Sequence, residues 1–336
     1  MFSRNTSKKS LDERSKPCHS HAMPKFGLVC ISELLRDKNP ELAFKTMTRT
    51  QFLKKGRDES IQELSRRISH NLTVTTETIK HCKEIGIKHY RLSCKLFPLV
   101  TDPTLKIQVD LLPYWNILEQ KLVEIGRTAK ECGITLSIHP DQFVVLASES
   151  DDICDKSVNE LNFHAWVLDM LKMPQDYTCP INIHPALSNF ESPEKFMQKL
   201  VRNFFRCDIG VRNRLVFENE DKGFWNCANI YEYFHNYMKH SYNFHFPLTL
   251  DNLHNEANPS FDPEGKVIPL EKFFLKFYQT WPVMPTFHWS EAEEGKKRNH
   301  AHILQKAPAD FGLDVTWEIE IKGKDKGFIH HIKRMN

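Results

Sequence analysis

Eight short β-prone runs, separated by helical patterns, constrain this chain more than any other feature. They are FGLVCI (26–31), IKHYRL (87–92), ITLSI (134–138), INIH (181–184), RLVFE (214–218), PLTLD (247–251), PTFHW (285–289) and VTWEIE (315–320). Between them the apolar residues move to helical spacing. In 60–86, Ile61, Leu64, Ile68, Leu72, Ile79 and Cys82 share a face, and Gly86 stops the run. Segment 114–133 also ends in glycine. Segment 147–172 begins with Ser and Asp caps. Segment 192–205 opens with Ser192 as N-cap, Pro193 in the first helical position and Glu194 in the first turn. Segments 228–240 and 269–281 complete the set. Strands alternating with helices make a parallel sheet, and eight of them close into an α/β TIM (β/α)8 barrel, a single domain over 25–336. Residues 1–24 are polar and basic without a hydrophobic period and read as a disordered tail. Residues 31–60 read as a charged loop with a short helix over the barrel mouth.

Length and composition narrow the function. The 336 residues suit one large barrel, and 40% apolar residues are enough for its core. No apolar stretch reaches the roughly 18 residues of a membrane helix, and the N-terminus has no apolar segment of a secretion signal. Nine cysteines, an odd number with no CxxC pair, argue against a disulfide framework or thiolate zinc site and for a reducing, intracellular setting. The net charge is only +3, and residues 1–25 carry +4 of it, leaving −1 on the rest. Such a chain does not coat polyanions indiscriminately; nucleic acid would meet local patches. The candidates are Lys54, Lys55 and Arg57; Lys296, Lys297 and Arg298; and Lys322, Lys324 and Lys326.

A TIM barrel carries its active site at the C-terminal strand ends. Here the third strand ends at His139, the fourth at His184 and the fifth at Glu218. The sixth ends at Asp251, with His254 three residues on; the seventh carries His288 and the eighth Glu320. His300 and His302 follow the seventh strand in a loop, and Asp102 lies in the loop after the second. Singly, a His or Asp there is an ordinary loop cap. Six consecutive strand ends with metal-ligating groups, and no Lys or Arg among the six, are different: crowded imidazoles and carboxylates need cations. The His-Pro turns of LSIHPDQF and INIHPALS would aim His139 and His184 across the mouth. Imidazole and carboxylate without thiolate suit Mn²⁺, Zn²⁺ or Fe²⁺. The ligand count exceeds one tetrahedral zinc, so two or three divalent ions with a bridging carboxylate are expected, a centre suited to phosphoester hydrolysis. There is no glycine-rich phosphate loop, Walker signature or GxSxG.

The stretches YRLSCKLFPLVTDP, LSIHPDQFVVLAS, INIHPALSNF, LVFENEDKGFW, LTLDNLHNEANP, FHWSE and EIEIKGKDKG occur in an order and spacing that resembles the UV-damage endonuclease family, TIM-barrel relatives of endonuclease IV. The resemblance covers about residues 26–328. It implies a DNA-repair endonuclease that incises 5′ to UV photoproducts and some other helix-distorting lesions, leaves a 3′-hydroxyl, and uses divalent metals, manganese first, zinc or magnesium otherwise. It implies that His139, His184 and Glu218 hold one metal. Glu218 would bridge to a second, shared by Asp251, His288 and Glu320, and His254 and His300 would hold a third. It implies catalytic roles for Glu218, His139 and Asp102. Lesion and DNA contacts would fall to Gln142, Phe143, Lys322 and Lys324. The expected partner is damaged double-stranded DNA, with no membrane, and the protein is expected to act as a monomer.

Three positions depart from the family pattern. Phe143 stands where the family has tyrosine in a Gln-Tyr probe; it can still wedge between bases. Asp102 stands where a histidine is common. Thr286 stands where a lysine that can be carboxylated is common, so no carbamate ligand is available there; His302 is a candidate replacement. Other readings stay open: an abasic-site endonuclease of the endonuclease IV type, a metal-dependent sugar isomerase or epimerase on the same barrel, and a non-catalytic DNA-binding relative. The basic patches and the Gln-Phe pair weigh against the sugar enzyme.

Overall fold

The computed structural model describes residues 25–187, 189–309 and 311–335; the stretch 1–24, read above as a tail, lies outside them. Eight parallel strands wind in sequence: β1 (Lys25–Val29), β2 (His89–Leu92), β3 (Thr135–Ile138), β4 (Ile181–Ile183), β5 (Leu215–Glu218), β6 (Leu248–Thr249) and β7 (Thr286–Trp289), then, after a hairpin of β8 (Ala292–Glu293) and β9 (Lys296–His300), β10 (Thr316–Ile319). Hydrogen bonding runs β6-β5-β4-β3-β2-β1-β10-β7, and a parallel bridge from Asp251 to His288 closes the circle. The expected TIM barrel is present.

Each strand splits its side chains by the pleat, with period two. Outward go Leu28, Tyr90, Leu136, Ile183, Phe217, Phe287 and Trp317, all buried in the apolar shell between strands and helices. Inward go His89, Arg91, Ser137, Asn182, Glu218, Thr249, His288 and Glu318, all buried as well. A barrel interior is usually filled with branched apolar residues; this one is polar. Contacts across the lumen show it: Ser137 of β3 and His89 of β2 both hydrogen-bond Glu318 of β10. Gly27 of β1 leaves room for this layer, since a Cβ there would meet His89 Cδ2 at 2.9 Å.

The long helices stand where the spacing puts them, among them Arg57–Ile85, Trp115–Cys132, Asp151–Met170, Pro193–Phe204 and Leu270–Tyr278. Gly86 and Gly133 end the first two in the left-handed region, and each cap N–H returns to the last turn. Segment 227–242 is helical with a π-helical stretch Glu232–Tyr237. Two readings need correction. Residues 31–60 hold two short helices, Glu33–Lys38 and Arg49–Lys54, and a 3-10 turn, Pro40–Leu42. The charged run after β7 is a hairpin, turning at Gly295 with φ 73°. The C-terminal helix Lys324–Met335 was also not anticipated. Its Asp325 ties back to the first loop, accepting from Ser32 Oγ, the Glu33 N–H and His81 Nε2. Among the described residues no helix is long and apolar enough to cross a membrane.

Candidate metal centre

The ligands converge because the strands carry their inward face one step past their ends. Ser137 points in, so His139 does; Asn182 leads to His184, Thr249 to Asp251 and Glu318 to Glu320. Glu218 and His288 are still within their strands. His254 comes from the first turn of helix Asn252–Ala257, where the Asp251 side chain accepts its backbone N–H as the N-cap.

Glu218, 1% exposed, is the hub. One of its oxygens lies 3.1 Å from His139 Nε2 and 3.8 Å from His184 Nε2. The other lies 3.2 Å from His254 Nδ1 and 3.1 Å from His288 Nδ1. The Asn182 amide donates to the first of these oxygens, the one facing His139. Three groups bring ligand atoms within 4.8 Å of one another: His139, Glu218 and His288; His184, Glu218 and His254; Asp251, His288 and Glu320. Glu218 belongs to two of them, and so does His288. The imidazoles are packed close, with ring centroids 5.2 Å apart for His139–His184 and 5.5 Å for His184–His254.

Burial alone would push Glu218's carboxyl up, but the surrounding imidazoles, His288 and His184 foremost, bring it well below the usual range. Burial, with His139, His254 and His288 nearby, takes His184 down to about 4 against the pull of Glu218. Asp251 is raised by burial and by its carboxylate neighbours Glu218 and Glu320. The donor set fits divalent cations: hard and borderline ligands without thiolate, and buried atoms left with no hydrogen-bond partner. Among the latter are Asp251 Oδ2, His184 Nδ1 and Asn182 Oδ1. An unpaired buried polar atom costs about 1–3 kcal/mol, which a cation at these positions would offset.

Every expected ligand except His300 is in one of the three groups. His184 groups with His254 and His139 with His288, while His139 and His184 both approach the same Glu218 oxygen. His254 and His300 do not pair; His300 Nε2 stands 3.9 Å from Glu320. Asp102 is not brought to the centre. Its carboxylate accepts the N–H and hydroxyl of Thr104 in a local turn. His302 is exposed and belongs to none of the groups. Thr286 is buried inside the barrel below His288. Phe143 is 85% exposed, so it is no part of the core. Gln142 beside it lines both a cavity of about 720 Å³ and one of about 380 Å³, which share His184 and His254. Lys324 lines the larger cavity, whereas Lys322 pairs with Glu293.

Four residues near the centre escaped the sequence reading: Arg91, His89, Glu318 and Glu220. The first three sit within strands, on their inward faces, and the period-two alternation was the signal for them. Glu220 stands 3.7 Å from His184 Nδ1, and burial raises its carboxyl.

A family model described as UV-endonuclease UvdE matches residues 24–336. A UV DNA damage endonuclease from Nostoc sp. is 28% identical, covering 92% of this chain and 90% of that one. One from Deinococcus radiodurans is 25% identical over 91% and 93%. The crystal structure of SacUVDE superposes with a TM-score of 0.74 at 24% identity, covering 93% of this chain and 98% of that one. Endonuclease IV from Thermus thermophilus gives 0.50 at 14% identity, covering 93% and 97%.

Proposed function

The chain belongs to the UV-endonuclease UvdE family and is an endonuclease, and from that premise we propose that it is a metal-dependent DNA-repair enzyme that incises damaged duplex DNA 5′ to UV photoproducts, leaving a 3′-hydroxyl. The carrying observation is Glu218, a buried carboxylate shared by two ligand groups, whose partners His139, His184 and His254 line a cleft together with Gln142, the neighbour of the exposed Phe143. Two or three divalent ions, manganese first, would be held by His139, His184, Glu218, Asp251, His254, His288 and Glu320, with His300 beside them. Bound there, they supply Lewis-acid polarisation of the phosphodiester and a nucleophile at neutral pH.

The residues of the chain do the rest. Glu218 and the imidazoles fix the reacting phosphate's surroundings, and the Asn182 amide keeps one Glu218 oxygen oriented. Lys95 and Lys324 line the larger cavity, and Lys222 and Arg298 the smaller, so the DNA backbone meets cations on both sides of Gln142. A photoproduct weakens local stacking and lowers the cost of a kink, so selectivity follows deformability rather than base identity. Phe143 fills the opened stack and Gln142 hydrogen-bonds base edges. The enzyme would act inside the cell, as a monomer.

Nicking of UV-irradiated, abasic and undamaged plasmid with added manganese tests the reading, with polymerase extension from the nick reporting the 3′-hydroxyl. Equal nicking of all three plasmids, or an end that a polymerase cannot extend, would sink it.

A further inference from the structure

We propose that Arg91 is a further catalytic residue, whose guanidinium takes a non-bridging oxygen of the phosphodiester beside the metal ligands; this deepens the endonuclease reading and rests on it. The strand-end list holds no cation. Arg91 supplies one from the inward face of β2, next to the strand's last residue. Its Nη1 donates to Glu318 Oε2 at 3.0 Å and to Glu320 Oε1. Glu318 is itself fixed by Ser137 Oγ and His89 Nε2, and Glu320 belongs to the group of Asp251 and His288. The guanidinium is therefore clamped by two carboxylates on one arm.

A guanidinium carries five N–H donors in a rigid fork. Nη1 accounts for two. Nε is buried with no partner, and among the described residues Nη2 has no hydrogen bond either. The side chain is only 10% exposed, yet it lines the larger cavity with Glu320, His139 and Lys324. The two Nη2 donors, held rigid at the floor of a cleft, can meet the oxygens of a tetrahedral anion, and a planar fork suits phosphate better than an ammonium does. A residue needed only to neutralise Glu318 and Glu320 could be lysine.

The test compares wild type with Arg91→Lys, which keeps the charge and loses the fork. Metal content, melting temperature and single-turnover nicking of UV-irradiated duplex are measured for both. The expected result is unchanged metal stoichiometry with a rate lower by about a hundredfold or more. In the same assay, a neutral methylphosphonate at the scissile position should weaken wild-type binding more than it weakens binding by the variant. Nicking by Arg91→Lys at the wild-type rate overturns the proposal. So does a rate loss matched by metal loss, which makes Arg91 a prop for Glu320. Should Arg91→Lys fail to fold, Arg91→Gln is read by the salt dependence of duplex binding: its log–log slope should fall by about one, and an unchanged slope overturns the proposal. A wild-type protein that nicks no UV-irradiated DNA overturns the endonuclease reading itself, a result distinguishable from all of these.

Discussion

Glu218 Oε2 lies 3.1 Å from His139 Nε2, and the pair ties β5 to β3 across the mouth of the barrel. Glu218→Gln keeps the shape and removes the charge that two ligand groups share. Metal affinity should fall by at least about 10–100-fold, the loss typical of groups that merely support ligands. Nicking should fall with it, while binding to UV-damaged duplex is largely retained. Metal titration beside a gel-shift assay checks this; near-normal turnover at saturating manganese would remove Glu218 from the mechanism.

Phe143 has no packing to lose. Phe143→Ala should leave the melting temperature and metal content unchanged and weaken binding to UV-damaged duplex about tenfold, one stacking contact. Early melting with normal damage binding would show the ring to be structural.

Thr286 has no amine, so no carbamate can form there. Nicking by the wild type should be the same in bicarbonate-depleted and bicarbonate-supplemented buffer. Thr286→Lys extends an amine from the inward face two residues below His288, and bicarbonate sensitivity should arise in that variant alone. A bicarbonate response in the wild type would point to modification at another lysine.

Gly27→Ala adds a methyl group 2.9 Å from His89 Cδ2 and 3.2 Å from the Trp317 carbonyl oxygen. Overpacking of this kind costs about 1–3 kcal/mol. The urea midpoint should fall while the slope of the transition is kept. An unchanged midpoint would mean that β1 can shift away from the layer.

Asp325 anchors the last helix to the first loop. Burial would raise its carboxyl, but His81, Ser32 and the backbone N–H groups of Leu34 and Glu33 lower it below the usual value. A group depressed in the folded state stabilises above its unfolded pKa of about 3.9, and that stabilisation is lost as pH falls through the folded value. Asp325→Asn should therefore be less stable than wild type by about 1–3 kcal/mol at neutral pH. The gap should close as the solution is acidified below about pH 4. Urea midpoints across that range decide it, and a gap that stays constant would show that the ionised form contributes nothing.

The barrel was legible because two periods alternate along the chain, and because Gly86 and Gly133 mark where helices must stop. The ligands were legible because strand ends are where a barrel displays them. What stayed hidden has physical reasons. Arg91 and Glu318 look like ordinary strand residues until the inward face is followed downward from Glu320. The hairpin pairs Ala292 and Glu293 of β8 with a β9 made mostly of lysine, arginine and asparagine, residues with little strand preference; only Gly295 hinted at its turn. Asp102 took its expected role from the family resemblance alone, whereas Thr104 two residues on already offered it a local turn.

The split between an apolar outer face and a polar inner one divides the strands into two regimes of substitution tolerance. Outward positions such as Leu136, Ile183 and Phe287 meet only other apolar groups and should accept volume-conserving exchanges. Inward positions such as Ser137, Asn182 and Glu318 each hold a specific partner on another strand, so even a near-isosteric replacement orphans a second residue. A saturation scan along any barrel strand should then show fitness rising and falling at every other codon, a stripe pattern set by hydrogen-bond partnership rather than by distance from the cleft.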